Sequence, residues 1–164
     1  MPLPPPSLKG RALRLLSGRE YSRAELERRL KPHAESAGLL SKALDELQAK
    51  GFISEQRVLD SVIHRRSGKL GAARIRQELQ HKGLDPDAVK AAINALQATE
   101  FERAQAIWRR KFDAASATAG AHTASGAAER GKQIRFLMAR GFGGDTIRRV
   151  IAAGSGEQDL TIEE

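Results

Sequence analysis

The sequence predicts an all-α protein built from three tandem three-helix repeats of helix-turn-helix type, forming an elongated, curved array. Three observations predict this fold. Ala, Leu, Arg and Glu dominate the composition, and the aromatic residues are only one Trp, one Tyr and five Phe, so the chain favours helix over strand. Helix-start signals recur along the 164 residues. One apolar register occurs three times, which is typical of repeat proteins.

The first repeat is predicted over residues 8–53. Ser22 with Glu25 three residues later forms a capping box, which opens a short helix through Leu30. Pro32 should end that helix, because proline cannot donate the next helical hydrogen bond. The Pro-rich residues 1–7 are expected to be disordered.

The second repeat is predicted over residues 54–98. Ser54 opens its first helix, and Gly83 is suited to a left-handed cap at the end of its second helix. Asp85 and Pro86 then act as N-cap and first-turn residue of its third helix.

The third repeat is predicted over residues 99–154, with a first helix from Glu100 to Phe112. A low-complexity insertion follows over residues 113–129, rich in Ala, Ser, Gly and Thr. Its glycines favour a mobile loop, whereas its alanines would extend a neighbouring helix. Residues 155–164 form an acidic tail.

The three repeats share a register of buried positions. Each copy has an apolar residue at a reference position. Two more apolar residues lie ten and fourteen positions after that reference. Such spacing places the residues on the inward faces of successive helices. The three sets are Leu30, Leu40 and Leu44; Leu79, Val89 and Ile93; and Leu137, Ile147 and Ile151.

The charge pattern predicts a binding surface for a polyanion. The formal net charge is +8, and most of the clustered bases belong to the second and third repeats. An ordinary solvated surface interleaves both signs more evenly. Trp108 adjoins two of these bases, but it falls on the apolar stripe of its helix and is expected in the core. The predicted site residues are Arg65, Arg66, Lys69, Arg74, Arg76, Arg109, Arg110, Lys111, Arg135, Arg140, Arg148 and Arg149.

Other classes of protein lack their usual signals. There is no cysteine, and none of the four histidines has the spacing of a zinc site, so we expect no metal and no cofactor. No phosphate-binding loop or catalytic triad is recognisable, and we expect no enzyme activity. Without a signal peptide or a long apolar run, the chain is predicted to be a cytoplasmic protein. It is also expected to be a monomer.

With these features in view, the chain resembles the bacterial RecX regulatory proteins from about Leu8 to Gly154. The resemblance implies a negative regulator that binds the RecA filament on single-stranded DNA. It would inhibit filament extension, ATPase, strand exchange and coprotease activity in DNA repair and the SOS response. No catalytic residue is implied. The matching segments are Arg11–Leu16 with Ser22–Leu30, Gly51–Glu55, Arg65–Arg66 before Gly71–Ile75, Leu79–Leu84, Trp108–Phe112 and Phe136–Phe142.

The chain departs from the family pattern in four places, the first of which is its unusual Pro-rich start. Ser54 replaces a usually acidic residue, Val58 stands where an aromatic is common, and the third repeat carries the insertion. Two other functions remain open from the residues alone. One is a free-standing, non-sequence-specific DNA-binding protein, for single-stranded or duplex DNA; the other is a structural helical adaptor. Charge reversal at Arg135, Arg140 or Arg149 is expected to weaken binding in the regulator.

Overall fold

The computed structural model describes residues 5–116 and 124–154, and the regular structure in these ranges is entirely helical. The predicted all-α class is therefore confirmed. The helices are α1 (Leu8–Leu16), α2 (Arg23–Leu30), α3 (Ala37–Ala49), α4 (Glu55–Arg66), α5 (Ala72–His81), α6 (Pro86–Gln97), α7 (Glu100–Ser116), α8 (Ala124–Ala139) and α9 (Gly144–Gly154).

Side-chain caps start the helices where the sequence predicts them. Ser22 Oγ accepts a hydrogen bond from the Glu25 N–H at 3.1 Å, and Glu25 Oε2 accepts one from the Ser22 N–H at 2.9 Å, so the capping box is complete. Asp85 Oδ2 accepts from the Ala88 N–H at 2.9 Å at the start of α6. A 3-10 turn containing Pro32 follows α2, as expected of a proline at a helix end.

The tight turns between the last two helices of the second and third repeats depend on glycine. Gly83 and Gly141 have φ values of +68° and +83°, which residues with a side chain rarely adopt. The apolar residue after each, Leu84 and Phe142, is buried. The left-handed cap predicted at Gly83 is confirmed, and Gly141 adopts the same conformation in the third repeat.

The threefold register is confirmed by burial. Each of its nine residues is at most 9% exposed. Leu30, Leu79 and Leu137, the first residue of each set, are between 0% and 2% exposed. The same positions therefore face the interior in all three copies.

The insertion in the third repeat is largely helical where it is described. Helix α7 continues four residues past its predicted end at Phe112, to Ser116, and α8 begins at Ala124. The predicted end of α7 was wrong because the alanine-rich segment continues the helix at little energetic cost. Residues 117–123 lie outside the described part of the chain, as do residues 1–4 and the predicted acidic tail.

The chain forms two compact units. The first contains Met1–His64 and Glu78–Val89, and the second contains Arg65–Gln77 and Lys90–Glu164. In the second unit, Trp108 is 4% exposed and its indole N–H donates to Gln133 Oε1 at 3.0 Å, so its predicted place in the core is confirmed. The core of the first unit includes Ala12, Tyr21, Leu26, Leu30, Leu40, Leu44, Leu47 and Ile53. The core of the second includes Ala104, Ile107, Trp108, Phe112, Leu137, Phe142, Ile147, Val150 and Ile151.

Gly83 has a second constraint besides its φ angle. A Cβ atom at this position would lie 2.9 Å from the Cβ of Ala24 in the same unit. Gly51 has a similar φ of +76° but open space around it. We therefore expect Gly83→Ala to lower the free energy of unfolding by more than Gly51→Ala, which should cost about 1 to 2 kcal/mol from backbone strain alone. Urea denaturation of both variants measures the difference, and equal losses would contradict a packing role for Gly83.

A partly buried ion pair joins α2 to the turn after α5 within the first unit. Lys82 Nζ donates to Glu25 Oε1 at 2.8 Å, with both side chains about one-tenth exposed, and Ser22 Oγ donates to the Lys82 carbonyl at 2.5 Å. Burial alone would raise the pKa of Glu25, but hydrogen bonds from Lys82, the Ser22 N–H and Arg19 outweigh it. The pKa of Glu25 is lowered as a result.

The lowered pKa makes the stability of the fold depend on pH. A carboxyl whose pKa is depressed by folding stabilises the protein above its ordinary pKa, and that stabilisation is lost as the pH falls through the folded value. We expect urea denaturation to show a loss of stability below about pH 4.5 that is smaller in Glu25→Gln. Glu27→Gln is the matched control, because Glu27 lies on the same helix with an exposed side chain and pairs only with Arg23 among the described contacts. Equal pH profiles for Glu25→Gln and the parent protein would argue against this ion pair.

Candidate functional site

All twelve basic residues predicted for the binding surface belong to the second unit. Ten of them are exposed, and Arg66 and Arg140 are half-buried. The structure brings four of the twelve together around one cleft of about 430 Å³. Among the described residues, no acidic side chain lines it. The lining residues are Lys69, Leu70, Ile107, Arg110, Lys111, Phe136 and Arg140.

The segment that carries Lys69 is held in place by two arginines of α7. The guanidinium of Arg103 donates to the carbonyls of Ser67 at 3.0 Å and Leu70 at 2.9 Å. Arg110 donates to the Gly68 carbonyl at 3.0 Å. These bonds satisfy three carbonyls between α4 and α5 and fix the position from which Lys69 reaches the cleft.

Arg103 was not predicted as part of the site. It is half-buried, and burial lowers its pKa, although the nearby Glu100 acts in the opposite direction. Arg103 and Arg110 are seven residues apart, so they lie on the same face of α7. That spacing was the available signal, but it does not show that the partners would be backbone carbonyls of another segment.

Arg140 is placed by a close approach of two backbone segments. The Gly71 N–H donates to the Arg140 carbonyl at 2.8 Å, and the Ala73 N–H donates to the Gly141 carbonyl at 3.2 Å. A Cβ atom at position 71 would lie only 2.3 Å from the Gly141 carbonyl oxygen, so the contact requires glycine there. The turn before α9 is therefore fixed against the start of α5.

The buried carboxylate of Glu100 supports the same junction. Its Oε1 accepts a hydrogen bond from the Ala72 N–H at 3.1 Å, at the start of α5. Its Oε2 accepts one from the Thr146 hydroxyl at 3.0 Å, on α9. Glu100 is only 8% exposed, and each of its carboxylate oxygens accepts one of these structural hydrogen bonds.

Phe136 forms the aromatic wall of the cleft. Its ring packs edge-on against Phe112, with centroids 5.1 Å apart. The guanidinium of Arg140 lies 3.6 Å above the Phe136 ring, and Lys111 Nζ is 5.9 Å from its centroid. Stacking of this kind orients a guanidinium while leaving N–H groups at its edge. The cleft thus presents cations on a rigid apolar base, an arrangement suited to phosphate or carboxylate groups.

The other predicted residues do not line this cleft. Arg149 lies 4.4 Å above the ring of Phe101, which is nine residues before Arg110 and so about 14 Å away along α7. Arg148 pairs with Asp145 beside it on α9, and Arg74 donates to the Ala139 carbonyl at 3.2 Å. The remaining five are Arg65, Arg66, Arg76, Arg109 and Arg135.

The described residues offer little support for other kinds of site. Within residues 5–116 and 124–154, no three His, Asp or Glu side chains come together as metal ligands. His33, His64 and His81 are exposed, and His122 lies outside the described residues. No helix in the described part of the chain is both long and apolar enough to cross a membrane.

Comparison with known proteins identifies the family. The family model for the second three-helix domain of RecX matches residues 54–93, and the model for the third such domain matches residues 98–151. The chain is 48% identical to the regulatory protein RecX of Leptothrix cholodnii over 153 residues, covering 93% of this chain and 92% of that protein. The chain belongs to the RecX family.

Two further comparisons agree with this assignment. The regulatory protein RecX of Ralstonia nicotianae is 44% identical over 151 residues, which cover 92% of this chain and 90% of the relative. The crystal structure of RecX from Lactobacillus salivarius superposes with a TM-score of 0.70 at 20% identity, covering 89% and 93% of the two chains. The latter shows a shared fold. The predicted RecX resemblance is confirmed, and so is the array of helical repeats.

Proposed function

We propose that this RecX protein restrains the RecA recombinase by binding its filament on single-stranded DNA through the basic cleft of the second unit. The observation that supports this most is the convergence of Lys69, Arg110, Lys111 and Arg140 on one cleft, whose described lining residues include no acid. In this proposal the bound protein opposes filament extension and thereby lowers ATPase, strand-exchange and coprotease activity. The role belongs to DNA repair and the SOS response.

The arrangement of the cleft fits a nucleoprotein partner. Each phosphate that a Lys or Arg neutralises releases counterions, which favours binding to DNA at low salt. The backbone bonds from Gly71 to Arg140 and from Ala73 to Gly141 hold the turn before α9 against the start of α5, so the backbone of this part of the cleft is ordered before binding. The eight bases outside the cleft add a wider positive field that speeds the encounter with a polyanion. Binding alone accounts for restraint, and no chemical step is required.

A free-standing DNA-binding protein is the main alternative, because the cleft would also suit naked DNA. That function predicts binding to DNA with a steep dependence on salt and no effect that requires RecA. Filament regulation instead predicts that small amounts of the protein act on many RecA subunits. The stoichiometry of inhibition therefore separates the two functions.

The decisive test measures the DNA-dependent ATPase of the cognate RecA protein while this protein is titrated in, with single-stranded DNA in excess. We expect the ATPase to fall at amounts of RecX protein well below one per RecA subunit. Excess DNA removes simple competition for binding sites as an explanation. Unchanged ATPase at equimolar protein would reject the proposed function and favour the DNA-binding alternative.

A further inference from the structure

The chain itself contains an acidic segment that directly follows the last described residue of the second unit, Gly154. Residues 155–164 include Glu157, Asp159, Glu163 and Glu164 and no Lys or Arg. We infer that this acidic tail is an intramolecular ligand of the cleft, from which an external polyanion displaces it. The displacement by DNA rests on the proposed function, whereas the contact between tail and cleft does not.

The tail begins beside the residues that form the cleft. Helix α9 ends at Gly154, and a Cβ atom there would lie 2.4 Å from the Trp108 ring, so the backbone touches the indole. Trp108 follows Ile107, which lines the cleft, and precedes Lys111 by less than one helical turn. The first residue of the tail is thus attached to the chain within one turn of the cleft residues of α7.

The direction of α9 also favours this contact. The Thr146 hydroxyl meets Glu100 at 3.0 Å, the Arg149 guanidinium lies over Phe101, and Gly154 meets Trp108. Later residues of α9 contact later residues of α7, so the two helices run in the same direction. The chain therefore leaves α9 toward the end of α7 that carries Lys111. Ten extended residues span about 33 Å, which is ample for the cleft.

The chemistry of the two surfaces is complementary. Four carboxylates of the tail would face four cations of the cleft, and Leu160 and Ile162 would meet its apolar base. Each surface ion pair is weak by itself. Attachment to the same chain supplies a millimolar effective concentration, so weak contacts suffice to occupy the cleft while remaining displaceable.

Disulfide trapping tests the contact directly, because the chain has no cysteine of its own. The test variant combines Thr161→Cys in the tail with Gly68→Cys at the edge of the cleft. The Gly68 carbonyl accepts from Arg110 at 3.0 Å, and a Cβ atom at Gly68 meets open space. The yield of disulfide in a glutathione redox buffer gives the effective concentration of the two thiols.

The matched control combines Thr161→Cys with Gly144→Cys. Gly144 is also in the second unit with open space for a Cβ atom. It begins α9, about 15 Å from Gly154, and residues 155–161 can span about 23 Å, so the tail can reach it. Both pairs are therefore accessible by length, and high salt distinguishes docking from simple proximity.

We expect the effective concentration of the cleft pair to exceed that of the control pair by about tenfold at low salt. The excess should vanish in 1 M NaCl and in a tail carrying Glu157→Gln, Asp159→Asn, Glu163→Gln and Glu164→Gln, because screening or neutralisation removes the attraction. Equal values for the two pairs at low salt, or an excess that survives both treatments, would overturn the inference.

Adding a saturating oligo(dT) separates this inference from the proposed function. Loss of the cleft disulfide with DNA present supports both. A cleft disulfide that forms equally well with DNA supports the tail contact and contradicts the cleft as the DNA site. Inhibition of the RecA ATPase by a protein whose two cysteine pairs form disulfides equally supports the proposed function and overturns the inference.

Discussion

Replacing Leu79 with alanine is expected to lower the free energy of unfolding by about 2 to 5 kcal/mol. Leu79 is fully buried on α5, at the register position that Leu30 and Leu137 occupy in the other repeats. The substitution removes apolar area from the interior and leaves a cavity that the surrounding helices fill only in part. Urea denaturation followed by circular dichroism measures the change.

Leu39→Ala is the matched control for this experiment. Leu39 is on α3 and is 50% exposed, so the same chemical change should alter stability by no more than about 0.5 kcal/mol. Comparable losses in the two variants would show that the repeat register does not define the core. A large loss at position 79 alone would agree with the burial of all nine register positions.

The features predicted well from the sequence are local ones. The capping box at Ser22 and the cap at Asp85 involve residues three apart, and the glycine turn at position 83 is set by the backbone of a few residues. The repeat register is also readable because buried apolar positions recur at fixed spacing along the chain. Such patterns need no knowledge of which helices meet.

The extent of α7 was harder to predict, because two local tendencies compete in the insertion. Alanines after Phe112 favour helix, while the glycines and serines further along favour a break. The alanines dominate as far as Ser116, where the described helix ends. Composition alone does not locate that balance.

The cleft could be predicted only as a set of candidates. Lys69, Arg110 and Arg140 were recognised as basic residues, but they come from three segments at least 30 residues apart. Their convergence depends on the backbone contact between Gly71 and Gly141, which has no sequence pattern of its own. Arg103 was missed for the same reason, since its partners are carbonyls of a distant segment.

Reversing two charges in the cleft should have the largest functional effect. Lys69 and Lys111 are the suitable pair, because both are exposed and their ammonium groups make no described hydrogen bond to the backbone. Arg110 and Arg140 each donate to a carbonyl, so changing them would also disturb the fold. The variant Lys69→Glu/Lys111→Glu therefore tests charge with least risk to structure.

If each lysine neutralises one phosphate, each contact adds about 0.9 log units of affinity for every tenfold decrease in salt concentration below 1 M. Losing both contacts therefore weakens binding to DNA roughly 60-fold at 0.1 M salt. Reversal adds repulsion to that loss. Fluorescence anisotropy with a labelled oligo(dT) over a range of salt concentrations measures both the affinity and the slope, which should fall by about two. Inhibition of the RecA ATPase should weaken in parallel.

The control Arg109→Glu/Arg148→Glu changes the net charge by the same amount at two exposed positions outside the cleft. A surface that acts only through its net charge would respond equally to both variants, because a diffuse field does not depend on where the charges lie. A cleft that contacts phosphate responds much more strongly to the first, and only that variant should change the salt dependence by two contacts. Equal effects would place the binding surface elsewhere on the second unit.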